Sequence, residues 1–507
     1  MTAQRWKLSE LFEQAGLQLP PRSLNPAVKS ITDDTRRIEP DCLFVATTGS
    51  KVDSHLFISD AVDKGAAAVL VERETPPYRG VDIVHVPDTR DALGRLAHAW
   101  HGNPSREMLV LGVTGTNGKT TTTFLLEAIL RAAGYEPGVL GTIEYRFAGQ
   151  RREAVNTTPT ALQLAQLFAE MRDAGVTAVA MEVSSHAADQ RRISGIEFDA
   201  CLLTNITQDH LDYHGTMEAY AEAKKAIFFD YLLRRAGGTK KKGPAAAFNL
   251  DDTYAGRFAA EFPLTKITFA VDNPVADLRA THIQMSQNES AFRVESAAGA
   301  ADVQMHLVGM FNVQNALGAM ALAQAVDIPQ KAILKGLATL AAVPGRLEQV
   351  KAGQPFMVLV DYAHTPDALE RVLVNARVMT QRKLIAVFGC GGDRDAGKRP
   401  IMGRAAAELA DYVIVTNDNP RTEDPEKIAD QVMEGVVTIG LPLEHVARIL
   451  DRKSAIEHAL ALADEGDVVV IAGKGHEDYQ ILGHEKIHFD DREVAREFLR
   501  ARATAPL

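Results

Sequence analysis

An α/β fold in three domains is what the sequence predicts, on three observations. Short apolar runs rich in β-branched residues, among them AAAVLVE, DIVHV, MLVLGVT, VTAVAMEV, KLIAVFG, DYVIVT and DVVVIAG, alternate with alanine- and leucine-rich stretches. That rhythm belongs to βαβ units and largely parallel, buried sheets. The 507 residues exceed what one core organises, and a prior of roughly 150 residues per domain gives about three domains. Two breaks divide the chain: HGNPSRE at 101–107, between a helical pattern and a new strand, and AAVPGRLE at 341–348, where Pro344 and Gly345 interrupt the alternation. The expected domains are a small N-terminal α/β domain over 1–103, a central, mostly parallel P-loop-type ATPase domain over 104–344, and a C-terminal Rossmann-like domain over 345–507.

Composition narrows the function. With 46% hydrophobic and 24% charged residues the chain sits in the ordinary soluble range. The net charge of -11, from 66 acidic against 55 basic residues, argues against a broad nucleic-acid surface and leaves room for a local anion pocket. Cys42, Cys201 and Cys390 are widely spaced and form no CxxC pair, so neither a disulfide framework nor a zinc site is implied. The opening MTAQRWKLSELFEQ is charged where a signal peptide needs an apolar stretch, and nowhere do 18 apolar residues run together. A cytoplasmic monomer without membrane insertion is expected. TKKKGP at 239–244 reads as an exposed loop, since three adjacent lysines cannot share a core.

The chemistry begins at MLVLGVTGTNGKTTTTFLLEAILRAAG, a buried strand, a glycine-rich turn and a helix in succession. This order aims free backbone N–H groups and a helix N-terminus at phosphate, with Lys119 on the β/γ phosphates and Thr120 on Mg²⁺. Strict P-loop spacing wants glycine at 113, where Val113 stands; the glycines are Gly112, Gly115 and Gly118. A second strand, VTAVAMEVSSH, ends in Glu182, Ser184 and Ser185, at the sheet edge where ligands bind in such folds. Glu182 reads either as a Mg²⁺ ligand or as a cap for the next helix. Lys224 and Lys225, on the helix after TNITQDHLDYHG, read by themselves as solvated, and NTTPT at 156–160 reads equally as turn chemistry. In the third domain, CGGDRDAGKRP, TNDNPRTEDP and IAGKGHEDYQ each follow a buried strand and gather fixed charges of both signs, a mixture suited to a zwitterion.

TGTNGKTT, TNITQDHLDYHG, GMFNVQNALGA, PGRLE and DYAHTP together resemble the Mur ligase family, whose phosphate loop folylpolyglutamate synthetases share. The resemblance covers nearly the whole chain and implies an ADP-forming ligase working through an acyl phosphate. It implies ATP on Gly115, Thr116, Asn117, Gly118, Lys119, Thr120 and Thr121, with Asn312 and Asn315 on the helix near the adenine, Arg346 at the hinge and Asp361 on a closing loop. It makes Lys224 a carbamylated lysine that holds a second Mg²⁺ with CO₂-derived oxygens, and His210 a further metal-site and catalytic residue beside Lys119. Asn156, Thr157, Thr158, Ser184, Gln190 and Arg192, with Asp33, Thr35, Ser50, Lys51 and Val52 in a UDP-binding N-terminal domain, look like contacts to a UDP-N-acetylmuramoyl-L-Ala-D-Glu substrate.

DNPR resembles the signature of the family members that add meso-diaminopimelate; the lysine-adding relatives lack its arginine. Arg394, Asp418, Asn419, Pro420, Arg421, Gly473 and Glu477 are then the amino-acid site. Arg421 can grip the distal carboxylate bidentately and repel the ammonium of lysine, while Glu477 and the Gly473 backbone take the distal ammonium. A lysine-adding ligase, a folylpolyglutamate synthetase-like ligase and an NTP-driven switch are the alternatives; the UDP-type domain and DNPR argue against the second.

Overall fold

A computed structural model describes residues 5–49, 52–234, 240, 243–286 and 288–504. Three mainly parallel sheets organise it. The largest has eleven strands. Its parallel centre runs, in spatial order, Pro137–Leu140, Ala178–Glu182, Leu109–Thr114, Ala200–Leu203, Ala245–Asn249 and Thr265–Ala270. These strands show no polar alternation because both faces are covered: Val110 enters one core with Phe168 and Phe228, while Leu111 and Val113 enter the other with Leu125 and Met320. Antiparallel extensions flank the centre: the hairpin Glu144–Phe147 and Gln150–Glu153 on one side, and Ser290–Ser296 with Gly299–Met305 on the other.

The chain leaves Leu109–Thr114 in one direction, returns beside it as Ala178–Glu182, and then crosses to its other side as Ala200–Leu203. A reversal of strand order opens a crevice at the carboxyl ends of the strands. The phosphate-loop turn, Glu182 and Thr204 all stand there.

The N-terminal sheet is parallel and runs Ser30–Thr32, Cys42–Val45, Ala68–Val71 and Asp82–His85. Its last helix, Thr89–Trp100, lies against the middle domain so closely that a Cβ on Gly94 would sit 2.5 Å from the Ser194 carbonyl oxygen. Asp91 accepts from Ser194 at 2.7 Å, and Arg191 pairs with Asp88 at 3.3 Å, so the carboxyl edge of this sheet faces the segment carrying Gln190 and Arg192. The third sheet runs Glu348–Gln349, Met357–Asp361, Val468–Ala472, Leu384–Phe388, Tyr412–Val415 and Val446–Arg448, parallel except for its first strand.

The lysine loop differs from expectation at Lys240. Its ammonium donates to the carbonyls of Met108 at 2.7 Å and Glu197 at 3.1 Å and pairs with Asp199, so it ties down the entry to the phosphate-loop strand instead of standing in solvent. Lys241 and Lys242 lie outside the described residues. Among the described residues no helix is long and apolar enough to cross a membrane.

Candidate active site

The phosphate loop is shaped by two glycines that no other residue replaces. Gly115 takes φ +145°, and a Cβ there would lie 1.9 Å from Thr204 Oγ1; at Gly118, φ +88°, it would lie 2.2 Å from Asn315 Oδ1. The turn is pinned from the neighbouring strand end: Asn205 accepts from Thr116 N–H at 2.8 Å and from Asn117 N–H at 2.9 Å, and Thr204 Oγ1 donates to the Asn117 carbonyl at 2.6 Å. Lys119, first residue of the helix Lys119–Ala132, folds back onto the carbonyls of Gly115 and Thr116 at 2.9 and 2.8 Å. Gly115→Ala therefore combines strain of about 1–3 kcal/mol with a steric clash. The expected result is a lower melting temperature and at least a tenfold loss of ADP affinity, read by thermal denaturation and titration calorimetry.

A cavity of about 270 Å³ opens over this loop and brings most of the sequence-derived acid and lysine candidates together: Lys119, Thr120, Glu182, Lys224 and His210 share it with Arg346 and Asp361 from the third domain. Glu182, 1% exposed, accepts from Thr142 N–H and Thr142 Oγ1, both at 2.9 Å. It does not cap the next helix, because Ser184 Oγ does so by accepting from Ala187 N–H. Lys224 is not a solvated helix lysine. It is 1% exposed, donates to the Gly115 carbonyl at 2.8 Å and lies 4.7 Å from the Tyr220 ring. Burial, with help from the charge of Lys119, drives its pKa well below that of an ordinary lysine. Lys225 instead pairs with Glu261 at 2.6 Å. Asp209, Thr142 and Tyr220 also line the cavity and were not singled out; Asp209 stands in the TNITQDHLDYHG motif, whereas no spacing pattern marks Thr142 or Tyr220. His210 sits on the rim, its ring 4.8 Å from His186.

Arg346 bridges the domains. Nη2 donates to Thr120 Oγ1 at 3.2 Å, and the guanidinium stacks 4.7 Å over the Tyr362 ring. Asp361 is buried and spent on backbone, accepting from Leu347 and Ala363 N–H at 2.7 and 2.8 Å, with burial raising its pKa. His364 also lines the cavity, and Thr365 caps the helix Pro366–Met379. Asn312 lies outside the main cavity. Its Nδ2 donates to the Val308 carbonyl, and it lines a second cavity of about 290 Å³ that shares Arg346, whereas Asn315 faces Gly118.

Beside Glu182, Thr158 Oγ1 donates to the Glu182 carbonyl at 2.9 Å and accepts from Ser184 N–H at 3.0 Å. Arg192 donates to the Thr158 carbonyl and to Gln190 Oε1, while Thr157 meets Thr142 at 3.1 Å. Asn156, whose carbonyl accepts from Tyr145 OH, is exposed in the same strip. In the N-terminal domain Asp33 and Thr35 lie at the carboxyl edge, with burial raising the Asp33 pKa; the helical cap there is Asp34. Val52 is exposed, and Ser50 and Lys51 lie outside the described residues.

The third-domain candidates form a second cluster. Asp418, Asn419 and Pro420 are buried; Arg421, at φ +52°, donates from Nη1 to the Gly392 carbonyl at 2.8 Å. Asn419 Nδ2 donates to Glu477 Oε2 at 3.0 Å, and Gly473 stands where a Cβ would meet Asp418 Oδ2 at 2.5 Å. Arg394 is exposed and bonded only to the Asp393 carbonyl among the described residues. Lys474 belongs to the cluster and was missed. Tyr362 connects the two sites, its ring contacting Arg346 on one side and His476 at 5.1 Å on the other.

Family models match in the same order as the three sheets: "Mur ligase family, catalytic domain" over 27–101, "Mur ligase middle domain" over 113–323 and "Mur ligase, glutamate ligase domain" over 345–475. A UDP-N-acetylmuramoyl-L-alanyl-D-glutamate--2,6-diaminopimelate ligase of Solibacter usitatus is 42% identical over 97% of this chain and 98% of its own. One of the same name from Thermosynechococcus vestitus is 45% identical over 96% of each. A solved structure of that ligase covers 99% of this chain and 100% of its own at 32% identity and TM-score 0.71. The folylpolyglutamate synthase of Mycobacterium tuberculosis, solved with ADP and AMPPCP, shares the fold at TM-score 0.62 and 19% identity, covering 81% of this chain and 95% of its own. The chain belongs to the Mur ligase family.

Proposed function

We propose that the protein is an ATP-dependent ligase that joins meso-2,6-diaminopimelate to UDP-N-acetylmuramoyl-L-alanyl-D-glutamate, releasing ADP and phosphate. One observation carries this reading. The phosphate loop, a buried acid and a buried lysine open onto one cavity, and the third-domain residues that close it lead through Tyr362 to a pocket of mixed fixed charge.

In the first step a γ-carboxylate oxygen of the D-glutamyl residue attacks the γ-phosphorus of ATP. An O–P bond forms, the β–γ bridging P–O bond breaks, and ADP leaves with the electron pair. Lys119 leaves its own loop carbonyls for the β/γ phosphates, and the loop N–H groups and helix N-terminus hold the remaining charge. The adenine occupies the second cavity, beside Asn312 and Arg346. In the second step the diaminopimelate amine attacks the acyl carbon; a C–N bond forms, the C–OP bond breaks, phosphate leaves and the amine gives up a proton. His210, on the rim, is the proposed acceptor. Arg192, Ser184 and Thr158 receive the peptide's carboxylates, and the N-terminal sheet edge the uridine.

Thr120 and Glu182 would supply hard oxygen donors of the kind Mg²⁺ prefers. They fit, since among the described residues this buried carboxylate takes hydrogen bonds only from Thr142, and such a carboxylate calls for a cation. When bound, the ion neutralises charge on the transferring phosphoryl group. Lys224, whose pKa burial lowers, would add to CO₂ through its neutral amine: an N–C bond forms, one C=O π bond opens to leave the charge on oxygen, and the nitrogen gives up a proton to solvent. The product is an anionic N6-carboxylysine facing the same cavity.

The test is an amino-acid panel with ATP and the muramoyl dipeptide, scored by product mass and ADP release. Diaminopimelate is expected as the preferred amine. Preference for lysine would overturn the specificity and keep the ligase, whereas ATP turnover that ignores both co-substrates would favour a switch.

A further inference from the structure

The amino-acid pocket contains a fully buried cation that the reaction above does not use. Lys474 is 0% exposed and lies between two glycines in left-handed conformations, Gly473 at φ +115° and Gly475 at φ +55°. Neither glycine has room for a side chain: a Cβ on Gly473 would lie 2.5 Å from Asp418 Oδ2, and one on Gly475 would lie 2.7 Å from Tyr362 Cβ. The loop is squeezed between the pocket floor and the interdomain hinge, and the lysine is turned inward. Its ammonium donates to Asn419 Oδ1 at 3.3 Å and to Glu477 Oε2 at 3.2 Å, with the Tyr479 ring 5.4 Å away.

We infer that Lys474 is a positioning and specificity-determining residue, fixing Glu477 and Asn419 in the one arrangement that reads the distal amino-acid centre of the substrate. The inference rests on the proposed diaminopimelate-adding activity. Three features of the cluster support it. First, both bonds to Glu477 go to Oε2, from Asn419 Nδ2 and Lys474 Nζ; Oε1 makes no hydrogen bond among the described residues and stays available for a substrate ammonium. Second, the Asn419 amide is built into the frame: Oδ1 takes Lys474 Nζ and Ile481 N–H, and one N–H of Nδ2 gives to Glu477. It shapes the pocket before a ligand arrives. Third, charge balances. Asp418 and Glu477 face Lys474 and Arg421, and Arg452 is matched by its own partner Asp491 at 2.7 Å, so a neutral zwitterionic end fits, while a lone distal ammonium adds an unmatched positive charge. Without Lys474, Glu477 would be a half-desolvated acid beside Asp418, and such an acid takes up a proton.

The charged and titratable groups facing Glu477 are Lys474, Asp418, Tyr362, Tyr479 and Arg452. Burial raises the Glu477 pKa, and the charge of Lys474 is the strongest influence lowering it. Deleting that charge raises the pKa further, so the carboxylate is lost at a higher pH.

Lys474→Met is therefore expected to raise KM for diaminopimelate by about a hundredfold. KM for ATP and the dipeptide should stay within about twofold. The acid limb of kcat/KM for diaminopimelate should move to higher pH, and discrimination against lysine should shrink. Glu477→Gln and the double variant, in which no buried charge is left unmatched, keep the test decisive where Lys474→Met fails to fold. If Lys474 acts through Glu477, adding Lys474→Met to Glu477→Gln costs little more. An unchanged diaminopimelate KM and acid limb in folded Lys474→Met, or an undiminished penalty on the Glu477→Gln background, overturns the inference. A wild-type enzyme that ignores diaminopimelate would instead overturn the activity it rests on.

Discussion

Lys224→Ala is expected to lower kcat by about a thousandfold, the scale of removing a group that stabilises charge in the transition state. Binding of a non-hydrolysable ATP analogue should change less than about threefold, since the loop N–H groups and Lys119 remain. The substitution should not unfold the protein: alanine continues the helix Met217–Ala226, and what is removed is a desolvated amine that donates to the Gly115 carbonyl. The chemistry predicts a second signature. Carbon-13 NMR of the wild-type enzyme in labelled bicarbonate should show a carbamate resonance that Lys224→Ala lacks, and a short carboxylic acid such as acetate should restore part of the lost kcat by supplying the missing anion. An alanine variant keeping a third of the activity would sink the role assigned to Lys224, whatever the NMR shows.

The architecture was legible because both faces of each central strand are buried, so runs such as Val110 to Val113 and Val468 to Ala472 carry no polar alternation. What the pattern could not carry was the antiparallel extension of the middle sheet. Leu278–Met285, which joins the centre in parallel and pairs antiparallel with Ser290–Ser296 on its other side, has only half its positions buried at its start and contains a register shift, and such half-covered strands are weak signals beside the buried centre. Lys240 was misread for a related reason. Three adjacent lysines imply solvent on average, yet a single long stem can reach carbonyls left over at a strand entrance.

Within the site, glycines and charged residues at strand ends were readable because backbone geometry restricts who can stand there. Gly115, Gly118 and Gly473 are fixed by contacts their neighbours make, and the TGTNGKTT and IAGKGHEDYQ motifs report that restriction directly. Residues that act by holding others left no such trace. Thr142 is one threonine in a turn, yet it supplies both hydrogen bonds to Glu182. Lys474 did carry a usable sign: a lysine enclosed by two glycines directly after a buried strand, where a solvated side chain is hard to place. Asn312 and Asn315 show the limit of spacing. Three residues apart on one helix, they serve different cavities, because Gly118 admits only Asn315 to the phosphate loop.

Arg421→Ala separates amine recognition from nucleotide binding more sharply than any other change. The arginine is held before a ligand arrives: its backbone N–H donates to the Ile481 carbonyl at 3.1 Å, and Nη1 is tied to the Gly392 carbonyl. Nη1 is thus anchored, and the rest of the planar fork is available to a carboxylate, which suits bidentate binding with little ordering cost. Alanine at φ +52° meets the same backbone demand as arginine, so the substitution removes the guanidinium with little added strain. Loss of one partner in a desolvated charge pair costs about 2–5 kcal/mol, so kcat/KM for diaminopimelate should fall by about 30- to 4000-fold. KM for ATP should hold within about twofold, because Arg421 lines neither cavity of the nucleotide region. Arg421→Lys should recover only a small part, since an ammonium offers a point charge where a planar fork is needed. Steady-state ADP release at varied diaminopimelate, with a competition against lysine scored by product mass, measures both effects. An equal fall in diaminopimelate and ATP affinity would place Arg421 in the frame that joins the domains, and not in the pocket that chooses the amine.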